Sequence, residues 1–273
     1  MTENRIEMCF RRLAANGRKA LIPYIIAGDP VLEVTVPAMH AMVEAGADII
    51  ELGIPFSDPF ADGPVNQRGA ERAIAAGTTL KSVIDAVIEF RETDEKTPLV
   101  LMGYLNPIIA MGGKKFCVAS KVAGVDGLLL VDMPPEAESD LVSHARAQGL
   151  DLIYLAAPTT TDERLISIGR ATSGYLYYVS LKGVTGSSKL DTTAVVARIE
   201  KIRRYMSVPI CVGFGIQTPE DAASIASASD GSIVGTILVR RIEELANKPQ
   251  KIPQALAAII RPMREAMDKV VVN

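Results

Sequence analysis

Strand-like and helix-like patterns alternate along the whole chain, and this alternation limits the fold more than any other feature of the sequence. Eight short apolar segments are each followed by a turn, and helical periodicity follows most of these turns. The segments predicted as strands are 21–26, 47–52, 99–102, 126–131, 152–156, 175–180, 209–213 and 232–234. Such an alternation is typical of an α/β protein with a parallel sheet.

The number of strand-helix units selects one architecture of this class. Helices are predicted at 6–15, 34–45, 80–90, in a stretch ending near 123, after 134–136, after 159–162, at 193–204, after 218–220, briefly after 235–236, and at 252–269. Eight units in 273 residues match a (β/α)8 TIM barrel, for which about 250 residues is typical. A doubly wound open sheet is the alternative, but it usually has a glycine fingerprint after its first strand, where Gly28-Asp29-Pro30 stands here. We predict a single barrel domain over 1–273 with an extra N-terminal helix and a short helix after strand 8.

Composition excludes several classes of function. The hydrophobic share of 48% is enough for a large core. The net charge is −3 and the basic residues are scattered, so the sequence predicts no positively charged surface for nucleic acid or an anionic membrane. Apolar runs are only strand-length, so no membrane span is expected, and an acidic amino terminus argues against a signal peptide and for a cytoplasmic protein. Three widely separated cysteines predict neither a disulfide nor a metal site.

Two carboxylates in the stretch 51–64 are the best candidates for catalysis. Glu51 lies near the carboxyl end of the second predicted strand among apolar neighbours, where burial would raise its pKa and suit it to general acid/base work. Asp62 follows in a loop stiffened by prolines and glycines, and is its candidate partner. A buried ion pair and turn-capping aspartates are the alternative explanation. With Asp58, three acids fall within twelve positions, and this density favours a site.

Glycines cluster after the last three predicted strands, in 183–186, in 213–215 and at Gly235-Thr236. Glycine lets backbone N–H groups approach an anion, and a helix amino terminus adds the positive end of its dipole. Barrels of this kind often bind phosphate with these late loops. We therefore predict a phosphate site that binds mainly through backbone groups.

Five segments together resemble the α subunit of tryptophan synthase. They are 23–30, 51–59 with 61–64, 103–107, 178–180 with 183–186, and 213–216. The resemblance covers nearly the whole chain and implies the barrel fold. It also implies a retro-aldol cleavage of indole-3-glycerol phosphate to indole and glyceraldehyde 3-phosphate, without a cofactor or metal in this chain. The implied partner is a β subunit that carries pyridoxal phosphate, in an α2β2 heterotetramer.

The resemblance also implies a role for individual residues. Glu51 would be the acid/base, and Asp62 would face the indole ring nitrogen. Substrate contacts are implied for Tyr177, Thr185, Tyr24, Met102, Leu129, Val131 and Phe214. Phosphate contacts are implied for Gly186, Gly215, Gly235 and Thr236. The partner surface would include the loop residues Asp58, Pro59, Asn106 and Pro107.

The sequence departs from the commonest family pattern at two positions, and three alternative functions are compatible with it. Thr236 stands where serine is more usual, and Asn66 where an aliphatic residue is common. A phosphate-binding aldolase would need a Schiff-base lysine inside the barrel, for which Lys182 is the candidate. A non-catalytic activating subunit would have no need of both Glu51 and Asp62. A free-standing lyase that releases indole would use the same catalytic residues.

Overall fold

The computed structural model describes residues 4–136, 140–179, 192–213 and 215–270, with the backbone alone at 192–194. Its strands are β1 (Ala20–Ile26), β2 (Ile50–Gly53), β3 (Leu99–Gly103), β4 (Gly127–Leu130), β5 (Asp151–Ile153), β6 (Leu155–Ala156), β7 (Leu176–Val179), β8 (Ile210–Gly213) and β9 (Gly231–Val234). Its helices are α1 (Arg5–Ala15), α2 (Thr35–Glu44), α3 (Pro64–Ala75), α4 (Leu80–Arg91), α5 (Leu105–Met111), α6 (Gly113–Ala123), α7 (Asp140–Ala147), α8 (Asp162–Ala171), α9 (Thr192–Arg203), α10 (Pro219–Ala228), α11 (Thr236–Glu244) and α12 (Ile252–Met267). Short 3-10 turns precede α2 and α12, at Leu32–Val34 and Pro249–Lys251.

The strands form one parallel sheet in the order β5-β4-β3-β2-β1-β9-β8-β7-β6. The two ends of this order, β5 and β6, are separated in the chain by Tyr154 alone, so the predicted strand 152–156 is one strand with an interruption. The sheet therefore runs around a barrel, and the predicted (β/α)8 architecture is confirmed. In the register of β1, β2 and β3, Glu51 lies level with Tyr24 on one side and Val100 on the other.

Helix α1 closes one end of the barrel interior. Its buried side chains Ile6, Cys9, Phe10 and Leu13 join one cluster with residues in or next to the strands, which include Ile22, Val100, Leu129, Ile153, Tyr175 and Ile233. A second, larger cluster lies between the strands and the surrounding helices. The amphipathic pattern of 6–15 is thereby explained, because the apolar stripe of α1 packs against the interior side chains at one end of the barrel.

The loops between strands differ from the sequence prediction in two places that bear on the site. Helix α3 was not predicted, although Pro64 at its first position is a favoured start, because its buried face is made of the small residues Gly69, Ala70 and Ala73. The stretch predicted to end near Ala123 is two helices, α5 and α6, which meet at Gly112 with a φ of 93°. None of the helices in the described ranges is long and apolar enough to cross a membrane.

Candidate active site

Glu51 lies inside the barrel with none of its surface exposed to solvent. The Tyr175 hydroxyl donates a hydrogen bond to its Oε1 at 2.5 Å, while Oε2 has no hydrogen-bond partner among the described residues. Burial raises the pKa of Glu51 to about 8, and the hydrogen bond from Tyr175 opposes this shift only in part. The predicted burial is confirmed. A carboxyl group in this state keeps its proton near neutral pH and can transfer it.

Two tyrosines approach Glu51, Tyr175 just before β7 and Tyr177 within it, and only Tyr177 was predicted from the sequence. Tyr175 makes the direct hydrogen bond, and its ring also packs 5.9 Å from that of Phe10. Tyr177 has a raised pKa, first through burial and then through the nearby charges of Glu51 and Asp62. Alternate residues of a strand share a face, so the inward direction of Tyr177 already implied that Tyr175 points inward too.

Asp62 is held at the mouth of the barrel by Tyr104. The Tyr104 hydroxyl donates to Asp62 Oδ2 at 2.8 Å and accepts a hydrogen bond from the Ala61 backbone N–H at 3.0 Å. Asn66 places its side-chain Nδ2 at 3.5 Å from Asp62 Oδ1. Burial raises the pKa of Asp62, and the hydrogen bonds from Tyr104 and Asn66 act in the opposite direction. No role for Tyr104 was predicted from the sequence, because its contact with Asp62 forms only in the folded chain.

An apolar cleft leads from Asp62 towards the strands. Tyr24, Met102 and Val131, all predicted to surround the indole, line it. Leu129 instead lies fully buried in the cluster of the barrel interior and is not among the residues that line this cleft. A planar aromatic ring with one hydrogen-bond donor suits these walls, because a carboxylate at the rim can accept from the donor.

Both candidate carboxylates influence the same wall of the cleft. The pKa of Tyr24 is raised well above its ordinary value by burial, then by the charges of Asp62 and Glu51. Gly53 permits this arrangement, because a Cβ atom there would come within 2.6 Å of the Tyr24 hydroxyl. Tyr24 therefore lies within electrostatic reach of both candidate catalytic groups.

Part of the predicted phosphate site lies at the amino end of α11. Gly235 is the N-cap residue, Thr236 is the first residue of the helix, and a Cβ on Gly235 would lie 3.2 Å from Tyr24 Cδ1. Gly215 has a φ of 78°, a conformation that glycine adopts without strain. This helix end therefore borders the wall of the cleft that Tyr24 forms, and the amino ends of helices in general favour anions. Thr185, Gly186, Lys182 and Phe214 lie outside the described residues.

The predicted partner surface is exposed in part. Asp58 and Asn106 are exposed, and Pro59 is half-buried. Asn106 and Pro107 belong to helix α5, so their prediction as a loop is wrong. Phe60, for which no role was predicted, exposes 68% of its surface on the same loop as Asp58. Within the described ranges, no group of three or more His, Cys, Asp or Glu side chains could hold a metal ion.

Comparison with known proteins decides the family. The family model described as tryptophan synthase alpha chain matches residues 10–268. A tryptophan synthase alpha chain of Nitrosococcus oceani is 55% identical over 265 residues, covering 97% of this chain and 98% of that one. The chain belongs to the tryptophan synthase alpha chain family.

Other members of the tryptophan synthase alpha chain family agree with this assignment. The alpha chain of Burkholderia pseudomallei strain 1106a is 50% identical, covering 97% of both chains. The crystal structure of tryptophan synthase subunit alpha from Legionella pneumophila str. Paris matches with a TM-score of 0.92 and 44% identity, covering 98% of this chain and 100% of that one. The resemblance found in the sequence is thereby confirmed, and so is the barrel fold. The chain is accordingly a lyase of tryptophan biosynthesis.

Proposed function

We propose that Glu51 and Asp62 are the carboxylates with which this chain cleaves indole-3-glycerol phosphate to indole and glyceraldehyde 3-phosphate. The observation that carries the proposal is their difference in environment. Glu51 is fully buried with a pKa of about 8, whereas Asp62 is held by Tyr104 at the rim of an apolar cleft. Two carboxyl groups whose surroundings separate their protonation states can divide acid and base work between them.

The reaction needs a proton on the ring carbon that bears the glycerol chain. Glu51, protonated near neutral pH, supplies this proton, and the ring nitrogen then carries positive charge. Asp62 accepts the N–H hydrogen bond and stabilises that charge where it develops. The carbon–carbon bond breaks with its electron pair returning to the ring, which restores indole. The Glu51 carboxylate takes the hydroxyl proton of the departing chain, which leaves as the aldehyde and regenerates the acid.

Substrate orientation follows from the polarity of the two ends of the site. The phosphate is held by Gly215, Gly235 and Thr236, whose backbone N–H groups and helix dipole favour an anion. The indole ring occupies the apolar cleft beside Tyr24 and Met102. Thr236 keeps a hydroxyl at the position where serine is more usual, so the departure from the family pattern preserves the phosphate contact.

The partner proposed is a β subunit with pyridoxal phosphate, in an α2β2 assembly, which receives indole directly. The exposed acid Asp58 and the exposed ring of Phe60 support a docking surface beside the cleft. The absence of a cofactor in this chain and a cytoplasmic location stay predictions. Measuring turnover with and without the β subunit separates this function from that of a free-standing lyase, whose rate the partner would leave unchanged.

Substitution of each carboxylate by its amide tests the chemistry. Glu51→Gln should lower indole release by about 10² to 10⁴, because the amide keeps the shape but cannot transfer a proton. Asp62→Asn should lower kcat far more than substrate affinity, because the charge matters most in the transition state. Asp85→Asn, which removes an exposed carboxylate paired with Lys81 at 2.6 Å, is the matched control. Near-normal turnover of Glu51→Gln would make Glu51 structural and remove the proposal.

A further inference from the structure

Helix α3 begins next to Asp62, and its first turn holds the loop that carries this residue. The Gln67 side-chain amide donates to the carbonyl oxygen of Asp62 at 2.9 Å and to that of Pro59 at 3.4 Å. Asn66, one residue earlier, contacts the Asp62 carboxylate itself. A displacement of α3 would therefore change the direction in which the Asp62 carboxylate points.

The later turns of α3 are joined by ion pairs to α11 and to the residues that follow β1. Arg72 binds Asp29 through two parallel hydrogen bonds of 2.8 and 2.9 Å, and the Asp29 side chain has no exposed surface. The same guanidinium donates to Glu243 Oε1 at 3.0 Å, and Arg68 adds two bonds of 2.6 and 2.9 Å to Glu243. Glu243 lies in the last turn of α11, the helix whose first residue is Thr236.

Helix α3 packs closely against both β1 and α11. A Cβ atom on Gly69 would come within 2.7 Å of Ile26 Cδ1, 2.9 Å of Val239 Cγ1 and 3.0 Å of Asp29 Oδ2. The three elements therefore meet with no free space at this point. A bidentate Arg–carboxylate pair fixes both the distance between the two side chains and their relative orientation. A single contact from a flexible lysine does not fix the orientation.

We propose that Arg72 is a positioning residue that couples phosphate binding at the amino end of α11 to the orientation of Asp62 at the indole end of the cleft. This inference rests on the proposed function, which assigns those two ends. Arg72 touches neither ligand, so its effect is on the coupling between them. Binding of phosphate should tighten the binding of indole, and by linkage indole should tighten phosphate to the same extent. Coupling of about fivefold or more is expected in the wild-type chain.

The test is a calorimetric titration of indole with and without saturating inorganic phosphate. In Arg72→Lys, which keeps the charge but loses the bidentate geometry, we expect the coupling factor to fall below about twofold. The affinity for phosphate alone should stay within about twofold of the wild-type value, because no phosphate contact is changed. Arg241→Met, which breaks an exposed pair with Glu244 within α11, should keep the full coupling.

A second variant keeps the inference testable if Arg72→Lys fails to fold. Glu243→Gln weakens the connection to α11 but leaves the buried pair between Arg72 and Asp29 intact, and it should also lower the coupling factor. Wild-type coupling in either folded variant, or no coupling in the wild-type chain, would overturn the role of Arg72. Failure of indole to bind the wild-type chain under any condition would instead contradict the proposed function, and the coupling with it.

Discussion

Replacement of Glu51 by glutamine should remove activity, and the stability of the variant relative to the wild type should increase as the pH rises. Between pH 4.5, the ordinary pKa of glutamate, and pH 8, the folded chain holds a proton on Glu51 that the unfolded chain has released. The contribution of Glu51 to wild-type stability therefore falls with rising pH across this window. The glutamine side chain of the variant does not titrate, so it adds no such dependence.

The size of the effect follows from the difference of about 3.5 between the raised pKa of about 8 and the ordinary value of 4.5. At about 1.4 kcal/mol for each pKa unit, the stability difference between the variant and the wild type should change by up to about 5 kcal/mol between pH 4.5 and pH 8. The change should favour the glutamine variant at the higher pH. Above pH 8 the difference should stay constant, because both folded and unfolded wild-type chains are then ionised.

Urea unfolding of both proteins at about pH 5 and about pH 8.5 measures this difference, since contributions of the other titrating groups cancel between them. Asp85→Asn is again the control, because removal of an exposed, paired carboxylate should change the free energy of unfolding by less than about 1 kcal/mol. An equal stability difference at both pH values would refute the assignment of a buried, protonated Glu51. The general acid of the proposed mechanism would then be lost as well.

Two further predictions concern the environment of the acid and the partner surface. Tyr175→Phe removes the hydroxyl that donates to Glu51 Oε1, so the pKa of Glu51 should rise further, and kcat/KM should be retained to a pH higher by about 1 to 2 units. A pH profile identical to that of the wild type would disprove this link. Asp58→Ala should weaken activation by a β subunit while leaving the basal lyase rate of the isolated chain nearly unchanged. Equal activation of the variant and the wild type, measured by titrating the β subunit, would exclude Asp58 from the docking surface.

The sequence alone determined the barrel and the burial of its central acid. Hydrophobic periodicity is a local property of the sequence. The alternation of strand-like and helix-like periodicity therefore identified most of the helices and all the strand segments. Helix starts were equally local. Thr161, in the stretch 159–162 predicted to cap a helix, caps α8, and Thr218, in the stretch 218–220 predicted to start one, caps α10. Glu51 stands in an apolar strand, and this context was enough to predict its burial, which the structure confirms.

Tertiary structure alone decided which side chains meet at the site. Tyr175 reaches Glu51 across 124 residues of chain, and Tyr104 reaches Asp62 across 42. Nothing local to either tyrosine specifies its partner, because the curvature of the closed sheet brings distant strands together. Helix α3 escaped prediction for a related reason. Its small residues look featureless in sequence, yet they allow the close approach to β1 and α11 that the ion pairs of Arg72 require.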